Sequence, residues 1–205
     1  MLLSTAYLPP IQYVALLLQK GSAQIEIWEH YVKQSYRNRA TILSANGPLD
    51  LIMPLEKTQG CKTLLKDVKI AYSDRWNAEH WNAITSAYNS SPFFEYYRDD
   101  LERFFTEKFK FLIDYNAELL QTILSLLQIH CDCSFTQEFT KPNSLADDFR
   151  YTISPKIAVE NVDFPEYTQV FEDKFDFVPN LSIIDLLCNE GPESKEYLKT
   201  IHFDK

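Results

Sequence analysis

Apolar and polar positions along the chain alternate between two periods, and the switches between them mark the elements. Leu2 to Tyr7 is a short apolar run that predicts a strand. Pro9 and Pro10 follow, and proline suits a helix start, where the first amide protons lack intrahelical partners. Ile11, Val14, Ala15 and Leu18 then recur at helical spacing until Gly21, which fits a left-handed cap. Gln24 to Glu29 alternates as a second strand. Ala40 to Ala45 and Leu49 to Leu55 flank Asn46-Gly47, which predicts a hairpin whose two turn residues take positive φ. Leu64 to Tyr72 reads as one more strand.

The middle of the chain turns helical. Ser73 or Asp74 is expected to cap a helix running to Tyr88, and Ser91-Pro92 to open another through Phe105. Asn116 is expected to cap a third, with Leu119, Leu120, Ile123, Leu124 and Leu127 on its apolar face. Cys131 to Phe139 alternates as a strand, an irregular region follows, and a last helix is expected over Ile183 to Asn189. No repeat or long linker divides the 205 residues. The expectation is a single α/β domain over 1–205, with a mixed sheet, one β-hairpin and a helical central segment.

Charge changes the picture in one place. The chain carries 29 acids against 20 bases, net −9, and a pI near 4.9, which argues against a nucleic-acid binder. Yet no Asp or Glu occurs from His30 through Leu49, a window that opens "HYVKQSYRNR". Arg37 and Arg39 stand two apart, so an extended backbone would turn both guanidiniums to one face as a fork for phosphate or carboxylate. His30 is the one side chain of the window suited to proton transfer near neutral pH, hence a candidate general base. The plainer reading is that the arginines pair with acids elsewhere and His30 only helps the fold.

Other stretches offer less. "YLPPIQY" places Tyr7 and Gln12 at a helix N-terminus, which either favours an anion or is a plain strand-to-helix turn without glycine. "LADDFRYTISPK" holds Asp148, Arg150 and Lys156, a local salt bridge or the completion of an anion site. Ser182 and Asp185 have the spacing of a capping box before Gly191-Pro192, so catalysis is not needed to explain them. Cys61, Cys131, Cys133 and Cys188 are expected to be reduced, and a single C-x-C pair reads as strand alternation rather than a zinc site. The apolar N-terminus has no early positive charge and is interrupted by its prolines, so neither export nor membrane insertion is expected and the location expected is cytoplasmic.

Taken in order, "YLPPIQYVALL", "HYVKQSYRNR", "ANGPLDLIMPLEK", "WNAEHWNAITSAYNSSPFFEYY", "DDFRYTISPK" and "LSIIDLLCNEGP" resemble the WbqC-like protein family of bacteria. The pattern H-x-x-x-Q-x-x-x-N-R is carried by His30, Gln34, Asn38 and Arg39. The resemblance implies a part in surface-polysaccharide (O-antigen) biosynthesis, as a transferase moving an acyl or aminoacyl group onto a nucleotide-linked amino sugar. It implies no particular cofactor. In that role His30 would be the catalytic base, and Lys33, Arg37 and Arg39 would hold the anionic groups of a nucleotide sugar or acyl donor. Tyr7, Gln12, Gln34 and Asn38 would line the site, with Asp148 and Arg150 approaching from the later loop. The alternative is a non-catalytic module that binds an anionic metabolite or a partner, keeping the arginines without the base.

Overall fold

A computed structural model of the chain describes residues 1–57, 63–142, 147–157, 159 and 162–203. The first strand is short: β1 spans Leu2–Ser4. The chain leaves it through Ala6 to Pro9, with Leu8 at φ 41, and enters helix α1, Ile11–Lys20. Gly21 ends this helix at φ 68, and its N–H returns to the Leu17 carbonyl, the left-handed cap that glycine adopts without a Cβ penalty. Strand β2, Ser22–Glu26, then lies parallel to β1, with Leu3 opposite Ile25.

The antiparallel hairpin follows as β3, Arg39–Ser44, and β4, Gly47–Ile52. Ser44 pairs with Gly47, so the turn residues are Ala45 and Asn46, one position earlier than the Asn46-Gly47 expectation. Only Gly47 of the expected pair takes positive φ, at 101. The Ser44 hydroxyl fixes the turn, donating to the Gly47 carbonyl and accepting from the Asn46 N–H.

Helices α2 (Trp76–Tyr88), α3 (Phe94–Thr106) and α4 (Leu112–Leu126) form the central helical segment. Strand β5, Asp132–Phe135, returns to the first sheet parallel to β2, giving the order β1-β2-β5. On the other side of β1, Leu2 donates to the Asp147 carbonyl and Phe149 to the Leu2 carbonyl, so residues 147–149 extend the parallel pairing. A short antiparallel pair, β6 (Val162–Asp163) with β7 (His202–Phe203), and helices α5 (Ile183–Glu190) and α6 (Ser194–Thr200) complete the described chain. The chain is thus α/β, with parallel and antiparallel pairing in separate sheets. One hydrophobic cluster runs from Leu3 through α1, the hairpin and α2 to α6 as far as Ile201. No helix among the described residues is long and apolar enough to cross a membrane.

Three local expectations are corrected. Leu64 to Tyr72 is a 3-10 turn at Leu65–Asp67 with isolated bridges on either side, because its amides reach separate partners: Leu65 the Glu29 carbonyl and Ile70 the Lys110 carbonyl. Asn116 does not cap α4; the helix begins four residues earlier and buries Asn116 within it. Ser182 does stand at the N-cap position of α5, but it makes no side-chain cap bond: its hydroxyl donates to the Leu8 carbonyl at 3.0 Å and ties α5 to the turn after β1. Cys61 falls outside the described residues.

Candidate ligand-binding site

The carboxyl ends of β1 and β2 hold two buried ion-pair networks. Glu26 closes β2 and is fully buried. It accepts from the N–H groups of Trp28 and Thr140 at 2.7 and 3.0 Å, from the Thr136 hydroxyl at 2.9 Å, and from Arg150 Nη1 at 3.3 Å. Arg150 turns its other nitrogens to Asp148, with Nη2 2.6 Å from Oδ2 and Nε 2.9 Å from Oδ1. Three residues beyond Glu26, the buried Glu29 accepts both Nε and Nη2 of Arg37, at 3.0 and 2.6 Å. The Ser4 hydroxyl donates to the same oxygen, and Tyr151 donates to Oε2 at 3.1 Å. Charges this deep persist only when paired and hydrogen-bonded, and these are.

The carboxylate-free window is explained by its edges. Arg37 pairs with Glu29, just before the window, and Arg39 with Asp50, just after it, at 3.4 Å across the hairpin. Strand β3 begins only at Arg39, so the i, i+2 rule does not extend to Arg37, and the two guanidiniums engage different acids instead of forming one fork. Asn38 accepts from Tyr31 Oη and donates to the Met53 carbonyl, both at 2.8 Å, holding the hairpin to the loop.

The remaining nominated residues divide between buried and exposed positions. Tyr7 is buried; its N–H reaches the Tyr36 carbonyl and its hydroxyl meets His80 Nδ1, both at 2.8 Å. Burial pushes the His80 pKa down to about 4, which keeps that ring neutral. Gln12 is buried at the start of α1, where its N–H donates to Asn180 Oδ1 and the preceding Ile11 N–H to the Leu181 carbonyl. The amides that would bind an anion there are therefore used within the protein. His30, Lys33 and Gln34 are exposed, Gln34 at φ 55, and His30 bridges Leu64 through its backbone.

A cavity of about 380 Å³ lies elsewhere, between α4 and the sheet. Thr5, just past β1, and Ile25 and Ser134 contribute from the sheet side, and Asn116, Leu120 and Gln121 from α4. Cys131 and Cys133 line it with their Sγ atoms 3.7 Å apart. Burial raises both thiols, Cys133 to about 12, so they are protonated near neutral pH and poor nucleophiles. A second hollow of about 540 Å³ shares Gln121, Leu124, Cys131 and Asp132 with the first. Among the described residues no group of three or more His, Cys, Asp or Glu side chains is placed to hold a metal ion.

Asn116 links this cavity to the ion pairs. Its Nδ2 donates to the Arg37 carbonyl at 2.8 Å, while its buried Oδ1 has no partner among the described residues. Sequence reading missed Asn116, yet a signal was present. It occupies an apolar-stripe position of α4, between Leu112 and Leu119, Leu120 and Ile123, and a polar residue there calls for a specific partner.

The WbqC-like protein family matches the sequence over residues 5–161 and 147–197, a span that includes the ion-pair networks, the cavity and α5. The chain belongs to the WbqC-like protein family. It is also similar to "Uncharacterized protein Rv1507c" of Mycobacterium tuberculosis, at 23% identity over 194 residues, covering 82% of this chain and 84% of that protein. No solved structure matches.

Proposed function

We propose that this protein acts in surface-polysaccharide biosynthesis by binding a small sugar-bearing metabolite in the cavity beneath α4. The observation that carries this reading is the cavity itself. Its volume of about 380 Å³ lies within the roughly 300–1,000 Å³ usual for small-molecule sites. Its wall is largely apolar with a few polar groups, Thr5, Asn116, Gln121, Asp132 and Ser134, the composition that orients a ligand by hydrogen bonds while burying its rings. Membership of the WbqC-like protein family is compatible with that biosynthetic setting. Arg37 and Arg150, nominated from sequence, are neutralised internally by Glu29, Glu26 and Asp148. Thermal melts across nucleotide sugars and acyl donors test the reading. A ligand at a hundred times its Kd should stabilise the fold by about 2.7 kcal/mol, and Ala117→Trp, which fills the half-buried cavity wall, should abolish the effect.

A second, catalytic reading is transfer of an acyl or aminoacyl group onto a nucleotide-linked amino sugar. Asp132 favours it: an exposed carboxylate on the wall of both hollows is suited to take a proton from an attacking amine. His30, the first choice for that role on sequence grounds, is not among the residues lining either hollow. Turnover that disappears in Asp132→Asn but survives in His30→Ala would support this version.

A further inference from the structure

We propose that β5 is the contact edge of a symmetric dimer, in which a second copy of this chain adds its own β5 antiparallel across a twofold axis at Ser134. The inference goes beyond the cavity reading and stands whatever the cavity binds.

The first observation is an unused strand edge. β5 is the last strand in the order β1-β2-β5, and the opposite edge of that sheet is already paired with residues 147–149. The Asp132 N–H donates to the Gly21 carbonyl and the Thr136 N–H to the Ile25 carbonyl, so the even-numbered positions turn their backbone groups to β2. Alternation then turns the N–H and C=O of Cys133 and Phe135 outward, and these groups find no partner among the described residues. Asp132 is the only charge on the strand, and no proline or lysine blunts it, whereas β4 of the hairpin carries Pro48. Asp132, Ser134 and Phe135 are exposed, so solvent reaches this edge.

The second observation is that the edge is complementary to itself. A twofold at Ser134 sets Cys133 opposite Phe135 of the partner subunit, and Phe135 opposite the partner's Cys133. Every outward N–H and C=O of the two strands then bonds to another, as in an antiparallel ladder. Side chains match as well: the exposed Phe135 ring meets an apolar thiol, Ser134 meets Ser134 of the partner subunit, and Asp132 meets the partner's Thr136. Other axes fit less well. One at Phe135 would set Asp132 against Glu138 of the partner subunit, two carboxylates face to face. One at Cys133 would set Phe135 against the partner's Cys131, which lies outside the strand. Because Cys133 also lines the cavity, Phe135 of the partner subunit would extend that wall.

Sedimentation equilibrium of the full chain at about 100 µM, well above a micromolar Kd, should give a mass near twice 24.0 kDa. Ser134→Lys and Ser134→Asp, changes at an exposed position, should keep the wild-type circular dichroism spectrum. Each should give the monomer mass, because like charges then face each other across the axis. Mixing the two variants should restore the dimer, since Lys then faces Asp. Without any substitution, the amides of Cys133 and Phe135 should exchange with deuterium at least about tenfold more slowly in the concentrated sample than in one dilute enough to be monomeric. A monomeric wild type, dimers that persist in both variants, or a mixture that stays monomeric would overturn the inference. Exchange at those two amides that does not depend on concentration would overturn it too. A monomer found carrying a peptide by native mass spectrometry would give the edge to that peptide and not to a second copy. None of these outcomes touches the cavity reading, which ligand binding alone decides.

Discussion

Arg37 and Glu29 face each other as a buried ion pair, with Nη2 2.6 Å from Oε1, and this contact turns a promising anion-binding arginine into part of the frame. Removing one partner of such a pair leaves an uncompensated buried charge. Arg37→Ala is therefore expected to destabilise the free protein by about 3–5 kcal/mol, read as a shift in the urea midpoint with little change in slope. Lys33→Ala, at an exposed position of the same loop, should leave the midpoint almost where it was. Equal midpoints for the two variants would mean that the pair does not hold the fold.

His80 gives the fold a pH dependence of defined sign. Burial lowers its pKa from 6.5 to about 4, so between those values the unfolded chain binds a proton that the folded chain refuses. Stability should be full above about pH 6.5 and fall as pH drops toward 4, by on the order of 3 kcal/mol from this group. His80→Gln should flatten that part of the profile, and an unchanged slope would assign it to other groups.

Asp185 works in the opposite sense. Burial raises its pKa despite hydrogen bonds from Tyr167, Tyr88 and Gln169. A carboxyl whose folded pKa lies above its unfolded value costs stability as pH rises through the interval between them. Asp185→Asn should thus lose less stability at neutral pH than at acid pH, relative to wild type. Denaturation midpoints at several pH values decide it; a loss that grows toward neutral pH would mean the carboxylate form is the one the site favours.

Gly191 ends α5 at φ 52, and a Cβ there would come within 2.4 Å of the Phe93 ring. Gly191→Ala should cost about 1–3 kcal/mol through crowding and the positive φ together. A melting temperature equal to wild type would show that the ring moves aside freely.

What the sequence made legible was what local chemistry determines. Gly21 announced the end of α1, and the Asn46-Gly47 pair announced the hairpin, though Ser44 moved the turn by one residue. The piece read as a strand at Leu64 to Tyr72 failed because its backbone partners, Glu29, Pro54 and Lys110, lie far away in sequence. The same holds at the site. The window from His30 to Leu49 stood out by its lack of carboxylate, but the acids that answer its arginines are Glu29 and Asp50, at its borders. Asn116 was misread as a cap because short-range rules assign an Asn near a leucine-rich run to the helix start, whereas its partner is the Arg37 carbonyl, 79 residues away in sequence.

The most direct test of the account locates the ligand. Backbone amide shifts of the labelled protein, followed while glucosamine or the best-stabilising nucleotide sugar is added, report which residues sense it. Perturbations should centre on Thr5, Asn116, Gln121 and Ser134, with His30, Lys33 and Gln34 unmoved. Shifts confined to the 30–39 loop, with α4 and β5 silent, would contradict it.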